Sequence, residues 1–370
     1  MDKKKWIKHI PLFILELIVL IAAAGALYVV LRTTGKNGVK KDRIDTEHIA
    51  VNEEVKEKIQ EEENGEGEET KTYTGVYNIA FFGVDARDEN LGKGNNRSDT
   101  IMLCSIDMDK HDVRLISIYR DTYLNLGNDT YNKCNAAYAK GGPEMALGMI
   151  NMNTDLYVTD YITVGFEGLM EAVDALGGVE IDVKENEISH LNNYQISMAG
   201  TSEDQKTFTA TAGVDYEPVT EPGLQTLNGL QATAYCRIRY VGDDFERAAR
   251  QRRVLMAVAE KAKTASPATL NQIANDVFGE VYTSLDLSEI IKLLGDIAKY
   301  KIVDQGGFPE ESMRATGTVG AKGSCVVPKS LSDNVAWLHE FLFNDASYTP
   351  SSAVQQYSDK IVSDTSGYVH

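Results

Sequence analysis

Hydrophobic and polar positions follow two periods along this chain. Short apolar runs bounded by turn residues predict strands over Val76–Val84, Ile101–Ile106, Val113–Ile118, Tyr157–Val164, Val179–Val183 and Cys325–Pro328. Elsewhere apolar residues recur every three or four positions. That spacing predicts helices over Ala136–Asn151, Phe166–Leu176, Ala248–Ala265, Leu270–Phe278, Leu287–Tyr300 and Ser332–Phe343. Gly141-Gly142-Pro143 interrupts the first helix, and Gly177-Gly178 closes the second. Strands and helices in alternation predict an α/β fold, with three layers, α-β-α, around a mixed central sheet. Residues 185–223 are Thr-rich and weakly patterned and read as a hairpin or loop insertion. Residues 346–370 read as a disordered polar tail.

Ahead of this region lies an apolar stretch, Ile10 to Leu31, broken by Pro11, Glu16 and Gly25. As a helix it rises about 33 Å, enough to cross a bilayer core. It is long for a cleaved signal peptide, so an N-terminal transmembrane signal anchor is expected. Lys3, Lys4, Lys5 and Lys8 before it nearly balance Arg32, Lys36, Lys40, Lys41 and Arg43 after it, so charge leaves the orientation open. Residues 44–70 carry eleven acids against Lys56 and Lys58. They predict a stalk, helical over 46–60 and then disordered, that acts as a self-repelling spacer.

The chain has 370 residues, 43% of them hydrophobic, and a net charge of −18. Acidity together with an anchor argues against nucleic acid as a partner. Cys104, Cys134, Cys236 and Cys325 form no C-x-x-C pair, so a zinc knuckle or thioredoxin-like site is not expected. Their disulfide state is left open.

Against that charge, one basic stretch stands out. Tyr235–Tyr240 reads as a strand, Val241-Gly242-Asp243-Asp244 as a turn, and Phe245–Arg253 as the start of a helix. Strand alternation would put Arg237 and Arg239 on one face, and helical spacing puts Arg247 beside Gln251. Arginine forks suit phosphate or carboxylate. Arg252 and Arg253 read as solvated residues in surface salt bridges. Two acids, Asp85 and Asp99, fall where strands give way to loops, a common place for sites in α/β sheets. Two carboxylates suit Mg2+, or Mn2+ in its place, completed by substrate phosphates and water. Arg97, Arg120, Arg237, Arg239, Arg247 and Gln251 could then surround a pyrophosphate. Taken one at a time, these pairs read equally as Asp–Arg salt bridges closing the sheet end.

Several of these residues fall into motifs in a fixed order: Phe82-Gly83-Val84-Asp85-Ala86-Arg87, Arg97-Ser98-Asp99-Thr100, Tyr119-Arg120-Asp121-Thr122, Lys133-Cys134-Asn135-Ala136, Asp174-Ala175-Leu176-Gly177-Gly178, Leu227-Asn228-Gly229-Leu230, Arg237-Ile238-Arg239 and Asp244-Phe245-Glu246-Arg247 with Arg250-Gln251. With them, the chain resembles the LytR-CpsA-Psr (LCP) family of bacterial cell-wall glycopolymer transferases. The resemblance implies Mg2+-assisted transfer of a glycopolymer from a polyprenyl-pyrophosphate carrier to a peptidoglycan acceptor. It implies Asp85 and Asp99 as metal ligands, and Arg120, Arg237, Arg239, Arg247 and Gln251 on the pyrophosphate, with Arg87 and Arg97 nearby. It also implies an apolar pocket for the polyprenyl tail. Catalysis would fall to Arg120, Asp121, Arg237 and Arg239, with Asp121 and Asp244 as candidate general bases. The expected layout is a cytoplasmic segment 1–9, the span 10–31, the stalk 32–72 and an extracytoplasmic domain over 73–345, on a cell membrane. Tyr119, Glu246 and Cys236 depart from the Pro, Gly and Ala usual at their motif positions. A lipid-pyrophosphate-binding regulator of wall assembly and a lipid pyrophosphatase would use much of the same machinery.

Overall fold

The computed structural model describes residues 40–41, 48–63, 72–73, 75–84, 96–202, 207–266, 281–285, 293 and 298–369. In chain order the elements are β1 (Lys40–Lys41), α1 (Glu53–Glu63), β2 (Thr72–Tyr73), β3 (Val76–Val84), β4 (Ser98–Asp107), β5 (Asp112–Ile118), β6 (Tyr123–Asn125), β7 (Tyr131–Lys133), α2 (Asn135–Thr154), β8 (Asp160–Gly165) and α3 (Phe166–Ala175). There follow β9 (Val179–Val183), α4 (Glu185–Ala199), β10 (Gly223–Leu227), α5 (Gly229–Arg237), α6 (Asp244–Lys263), β11 (Val281–Thr283), β12 (Lys301–Phe308), β13 (Arg314–Thr318), β14 (Ser324–Pro328), α7 (Leu331–Phe343) and α8 (Ser352–Thr365).

Eight strands make the central sheet, in the order β1-β11-β8-β3-β4-β5-β12, with β2 paired to β3. It is mixed: β1–β11, β3–β8 and β5–β12 run parallel, and β3–β4 and β4–β5 antiparallel. Alternation in β3 sends Ala80, Phe82 and Val84 to one face, where buried residues of α1, α2, α7 and α8 cover them. Tyr77, Ile79 and Phe81 go to the other face, against Leu255 and Met256 of α6. Helices therefore lie on both faces, as the alternating pattern predicts. A separate cluster joins β9 and β10 to α3, α4, α5 and α6.

Four expectations are corrected. Tyr235–Tyr240 is not a strand: α5 runs to Arg237, and Ile238 is its C-cap. The helix is started by Asn228, whose side chain accepts from the Gln231 amide while Gln231 accepts from the Asn228 amide. Gly229 permits it, because a Cβ there would sit 2.2 Å from the Met170 carbonyl oxygen of α3. In residues 185–223, the expected hairpin or loop insertion gives way to a helix, α4, over its first fifteen residues. The tail at 346–370 is not disordered, since it holds α8, capped by Ser351, with Val354 and Ile361 fully buried. The acidic stalk does not stand off as a spacer over its described part: Ile49, Val51, Val55 and Ile59 are buried in the main core. Asn52 there donates to Asp155 Oδ1 at 2.6 Å.

Among the described residues no helix is long and apolar enough to cross a membrane. The anchor expected over 10–31 lies outside them, as do Leu270–Phe278 and most of Leu287–Tyr300. The kink expected in α2 is present, with non-helical backbone at Gly141 and Gly142.

Candidate functional site

The site grows from one register. β4 and β5 pair Met102 with Ser117, and continuing that ladder sets Asp99 opposite Arg120. Arg120 Nη1 donates to Asp99 Oδ1 at 2.5 Å. From the loop after α5, Arg239 Nη2 reaches Asp99 Oδ2 at 3.4 Å. From α6, Arg247 Nη2 donates to the Asp99 carbonyl oxygen at 3.3 Å. Asp99 thus gathers three arginines that sequence spacing alone would scatter. Burial tends to lower the Arg120 pKa, but Asp99, Asp121 and Asp244 outweigh it and raise it.

Arg247 has the opposite balance. Burial, and then the charge of Arg120, push its pKa down. Its side chain is 5% exposed. Its Nε and Nη1, and the Nε of Arg120, are buried with no hydrogen-bond acceptor among the described residues. Among the described residues, ion contacts run from Arg247 Nη1 to Asp244 at 3.4 Å and from Arg120 Nε to Asp121 at 3.5 Å. Buried guanidinium hydrogens without acceptors are costly, and an anion with several oxygens would satisfy them.

These groups line a pocket walled by Asp99, Arg237, Arg239, Arg247 and Gln251 together with Phe166, Tyr194 and Cys236. Arg237 lies over the Phe166 ring at 5.0 Å and the Tyr194 ring at 5.9 Å. Phe166, Cys236 and Gln251 are shared with a second cavity, which is almost wholly apolar and lined also by Phe81, Met102, Val164, Leu169, Val254 and Leu255. Burial pushes the Cys236 thiol up to about 12, so the wall between the two pockets stays neutral. An arginine-rich pocket therefore lies directly against an apolar one, with Phe166, Cys236 and Gln251 common to both.

The expected set of Asp99, Arg120, Arg237, Arg239, Arg247 and Gln251 is brought together. Arg237 and Arg239 arrive from a helix end and a loop instead of one strand face. Asp121 sits between Arg120, at 3.5 Å, and Lys133, at 3.1 Å. Asp243 caps α6, accepting from the Phe245 and Glu246 amides, and Asp244 lies 3.4 Å from Arg247 Nη1. Arg97 is exposed, and Asp85 and Arg87 lie outside the described residues. Arg252 is not a surface residue but 9% exposed, with Nε donating to Gln305 at 3.3 Å. Arg253 bonds the Tyr235 hydroxyl at 3.0 Å and approaches Glu246 at 3.6 Å.

Sequence reasoning missed Phe166, Tyr194 and Lys133. Phe166 had a signal, since it follows a parallel strand directly, where α/β sites gather. Tyr194 had none, because it lies in the stretch that reads as a loop. As for a metal, no group of three His, Cys, Asp or Glu side chains converges among the described residues. Asp99 supplies one carboxylate, 22% exposed, at the mouth of the arginine pocket. Its two oxygens are held by Arg120 and Arg239, and Mg2+ accepts so few protein carboxylates only where phosphate oxygens and water complete its shell.

This architecture, a mixed sheet with an arginine pocket at its end, is that of a known class, and comparison identifies which. The LytR_cpsA_psr family profile matches residues 41–326, and the chain belongs to that family. It is 29% identical over 305 residues to the polyisoprenyl-teichoic acid–peptidoglycan teichoic acid transferase TagU of Oceanobacillus iheyensis, covering 80% of this chain and 82% of the relative. It is 28% identical over 327 residues to Biofilm regulatory protein A of Streptococcus mutans, covering 79% and 76%. Among solved structures, protein gbs0355 from Streptococcus agalactiae superposes with a TM-score of 0.60 at 26% identity, covering 76% of this chain and 92% of that one. The family protein YwtF (TagT) with bound octaprenyl pyrophosphate lipid shares the fold at a TM-score of 0.52 and 20% identity, covering 74% and 93%.

Proposed function

We propose that this protein is a membrane-anchored phosphotransferase that moves a glycopolymer from a polyprenyl-pyrophosphate carrier to peptidoglycan. The observation that carries this is the adjacency of two pockets, one lined by arginines and one apolar, that share Phe166, Cys236 and Gln251. A lipid pyrophosphate is an amphiphile with that division of chemistry. Curated relatives named as teichoic acid transferases, and the TagT structure holding octaprenyl pyrophosphate, support the reading.

In this proposal Arg120, Arg239 and Arg247 bind the pyrophosphate and stabilise the charge that grows as the bond between its phosphates breaks. Arg237, held over Phe166 and Tyr194, adds a fourth fork. Asp121 is fixed by Lys133 and holds Arg120 in place, a positioning role. Asp99, with Asp85, would hold Mg2+, which supplies Lewis-acid neutralisation of the phosphate oxygens. Residues 10–31 would anchor the chain with its domain outside the cytoplasm.

The test is to incubate the purified full chain with a prenyl-pyrophosphate glycopolymer and peptidoglycan fragments, and to look for the phosphodiester-linked product. Transfer that depends on Arg247 supports the proposal. Release of free lipid monophosphate and polymer alone would make the enzyme a pyrophosphatase. Binding without either product would make it a regulator. Protease added to intact protoplasts should cut beyond residue 72, and full protection would reverse the orientation.

A further inference from the structure

α6 serves two cavities. Arg247 and Gln251 face the arginine pocket, while Phe245, Ala249 and Arg252 face a larger, polar groove of about 600 Å3 along β12. β12 ends the sheet and pairs with β5 alone among the described strands. Its Gly306 and Gly307 leave the edge bare for a reason. A Cβ on Gly306 would press on Ile116 Cδ1 at 3.1 Å, with the Trp337 and Phe341 rings in ordinary contact at 3.6 and 3.7 Å, and one on Gly307 would lie 2.0 Å from the Tyr119 hydroxyl. The groove therefore has an aromatic floor, with Trp337 and Phe341 5.4 Å apart.

One wall holds a charge without a match. Arg252 is 9% exposed, and its Nη1 has no hydrogen-bond acceptor among the described residues. Arg314 nearby is engaged, 3.7 Å over the Phe245 ring and 3.3 Å from the Tyr119 hydroxyl. The rim is acidic, with Asp243, Glu246, Glu310 and Glu311. Such a rim repels a polyphosphate chain but accepts hydroxyl donors, while Arg252 asks for an oxygen acceptor. Aromatic rings suit the apolar face of a sugar. The groove and the arginine pocket flank the same helix, and Tyr119, which lines the groove, is the chain neighbour of Arg120, which binds Asp99.

We propose that this groove binds a neutral glycan as the acceptor: a glycan hydroxyl oxygen forms the new bond to the polymer-bearing phosphorus as that phosphorus's bridge to the prenyl phosphate breaks, prenyl monophosphate leaves, and the hydroxyl proton passes to solvent. The inference rests on the phosphotransferase reading. The chain has two tryptophans, Trp6 and Trp337, so Trp6→Phe leaves Trp337 as the sole indole reporter. The full chain in detergent is titrated with fully N-acetylated chitotetraose, a neutral N-acetylamino-sugar oligomer and the form used throughout, and with a short polyphosphate. A saturable change in Trp337 emission is expected with chitotetraose and none with polyphosphate. Arg252→Gln should weaken chitotetraose binding at least tenfold and leave polyprenyl pyrophosphate affinity within twofold. Glu311→Arg, at an exposed rim position, should admit polyphosphate without loss of fold. No saturable signal, equal binding by Arg252→Gln, or tighter binding of polyphosphate by the parent would overturn the assignment. Chitotetraose binding without polyprenyl pyrophosphate binding would instead defeat the transferase reading and leave the groove standing.

Discussion

Arg250 touches no ligand pocket, yet the site depends on it. Its side chain is 1% exposed, and Nε donates to Glu187 Oε1 at 2.7 Å. Nη1 donates to the Ile238 carbonyl at 3.2 Å and Nη2 to the Val241 carbonyl at 2.5 Å. Those two carbonyls bracket Arg239, so Arg250 fixes the loop that carries it. Arg250→Met keeps an aliphatic stem and removes all three bonds. Glu187, fully buried, keeps one donor, the Lys184 amide at 3.0 Å. Breaking a buried pair from one side costs about 3–5 kcal/mol, because the remaining charge is stranded. Two stranded carbonyls add to that, though not independently. We expect Arg250→Met to lose about 4 kcal/mol in urea unfolding and at least tenfold in polyprenyl pyrophosphate affinity. Adding Glu187→Leu removes the stranded charge, so the double variant should recover much of the stability. It should not recover affinity, because the loop anchors are still missing. A loss below about 1 kcal/mol for Arg250→Met, or full recovery of affinity in the double variant, would refute the argument.

Other outcomes follow from the same geometry. Arg247→Lys and Arg239→Lys keep the charge but lose the fork, and should weaken polyprenyl pyrophosphate binding about ten- to a hundredfold by calorimetry. Arg253→Lys, with its side chain 35% exposed in an ion pair with Glu246, should cost little. Asp99→Asn should abolish Mg2+-stimulated transfer while the melting temperature holds; unchanged activity at saturating Mg2+ removes Asp99 as a ligand. His339 is buried, bonds the Thr154 carbonyl at 2.9 Å, and burial pushes its pKa down to about 4. The unfolded imidazole, titrating near 6.5, takes its proton first as pH falls. Stability should therefore drop between about pH 6.5 and 4, by up to about 3 kcal/mol, and His339→Gln should lack that part of the slope.

Much of the sheet was legible because burial on two faces leaves nearly continuous apolar runs in β3, β4 and β5. The α2 kink was legible from Gly141-Gly142-Pro143. α5 was not: Tyr235 and Ile238 fit a helical spacing as well as a strand, and the deciding signal was the Asn228–Gln231 cap. α8 was hidden because its buried stripe is as thin as Val354 and Ile361 within a polar stretch. The buried part of the acidic segment was masked by its charge, although Val55 and Ile59 stand one turn apart. The burial of Arg252 was beyond sequence reasoning, since Gln305 and Tyr119 come to it from distant strands. Asp99 and Arg120 were found as motif residues, but their pairing depends on the β4–β5 register, which no local pattern states.

The arginine pocket runs against the folding preference for satisfied polar groups, and that conflict is itself informative. Arg250 shows that this fold can bury a guanidinium with every nitrogen bonded. Arg247, one turn earlier on the same helix, is nearly as buried and is left with Nε and Nη1 unbonded. The two differ in what faces them: Arg250 bonds Glu187 in a closed core, while Arg247 lines a pocket that abuts an apolar cavity. Three of the unmet nitrogens, Arg247 Nε and Nη1 and Arg120 Nε, belong to arginines that both bond Asp99. Their grouping lowers the stability of the empty site and raises the gain when an anion enters. That gain is directional, because the apolar walls behind the mouth accept a hydrocarbon tail and reject a hydrated ion. A free phosphate would meet half of these demands, and a pyrophosphate joined to a prenyl chain would meet all of them.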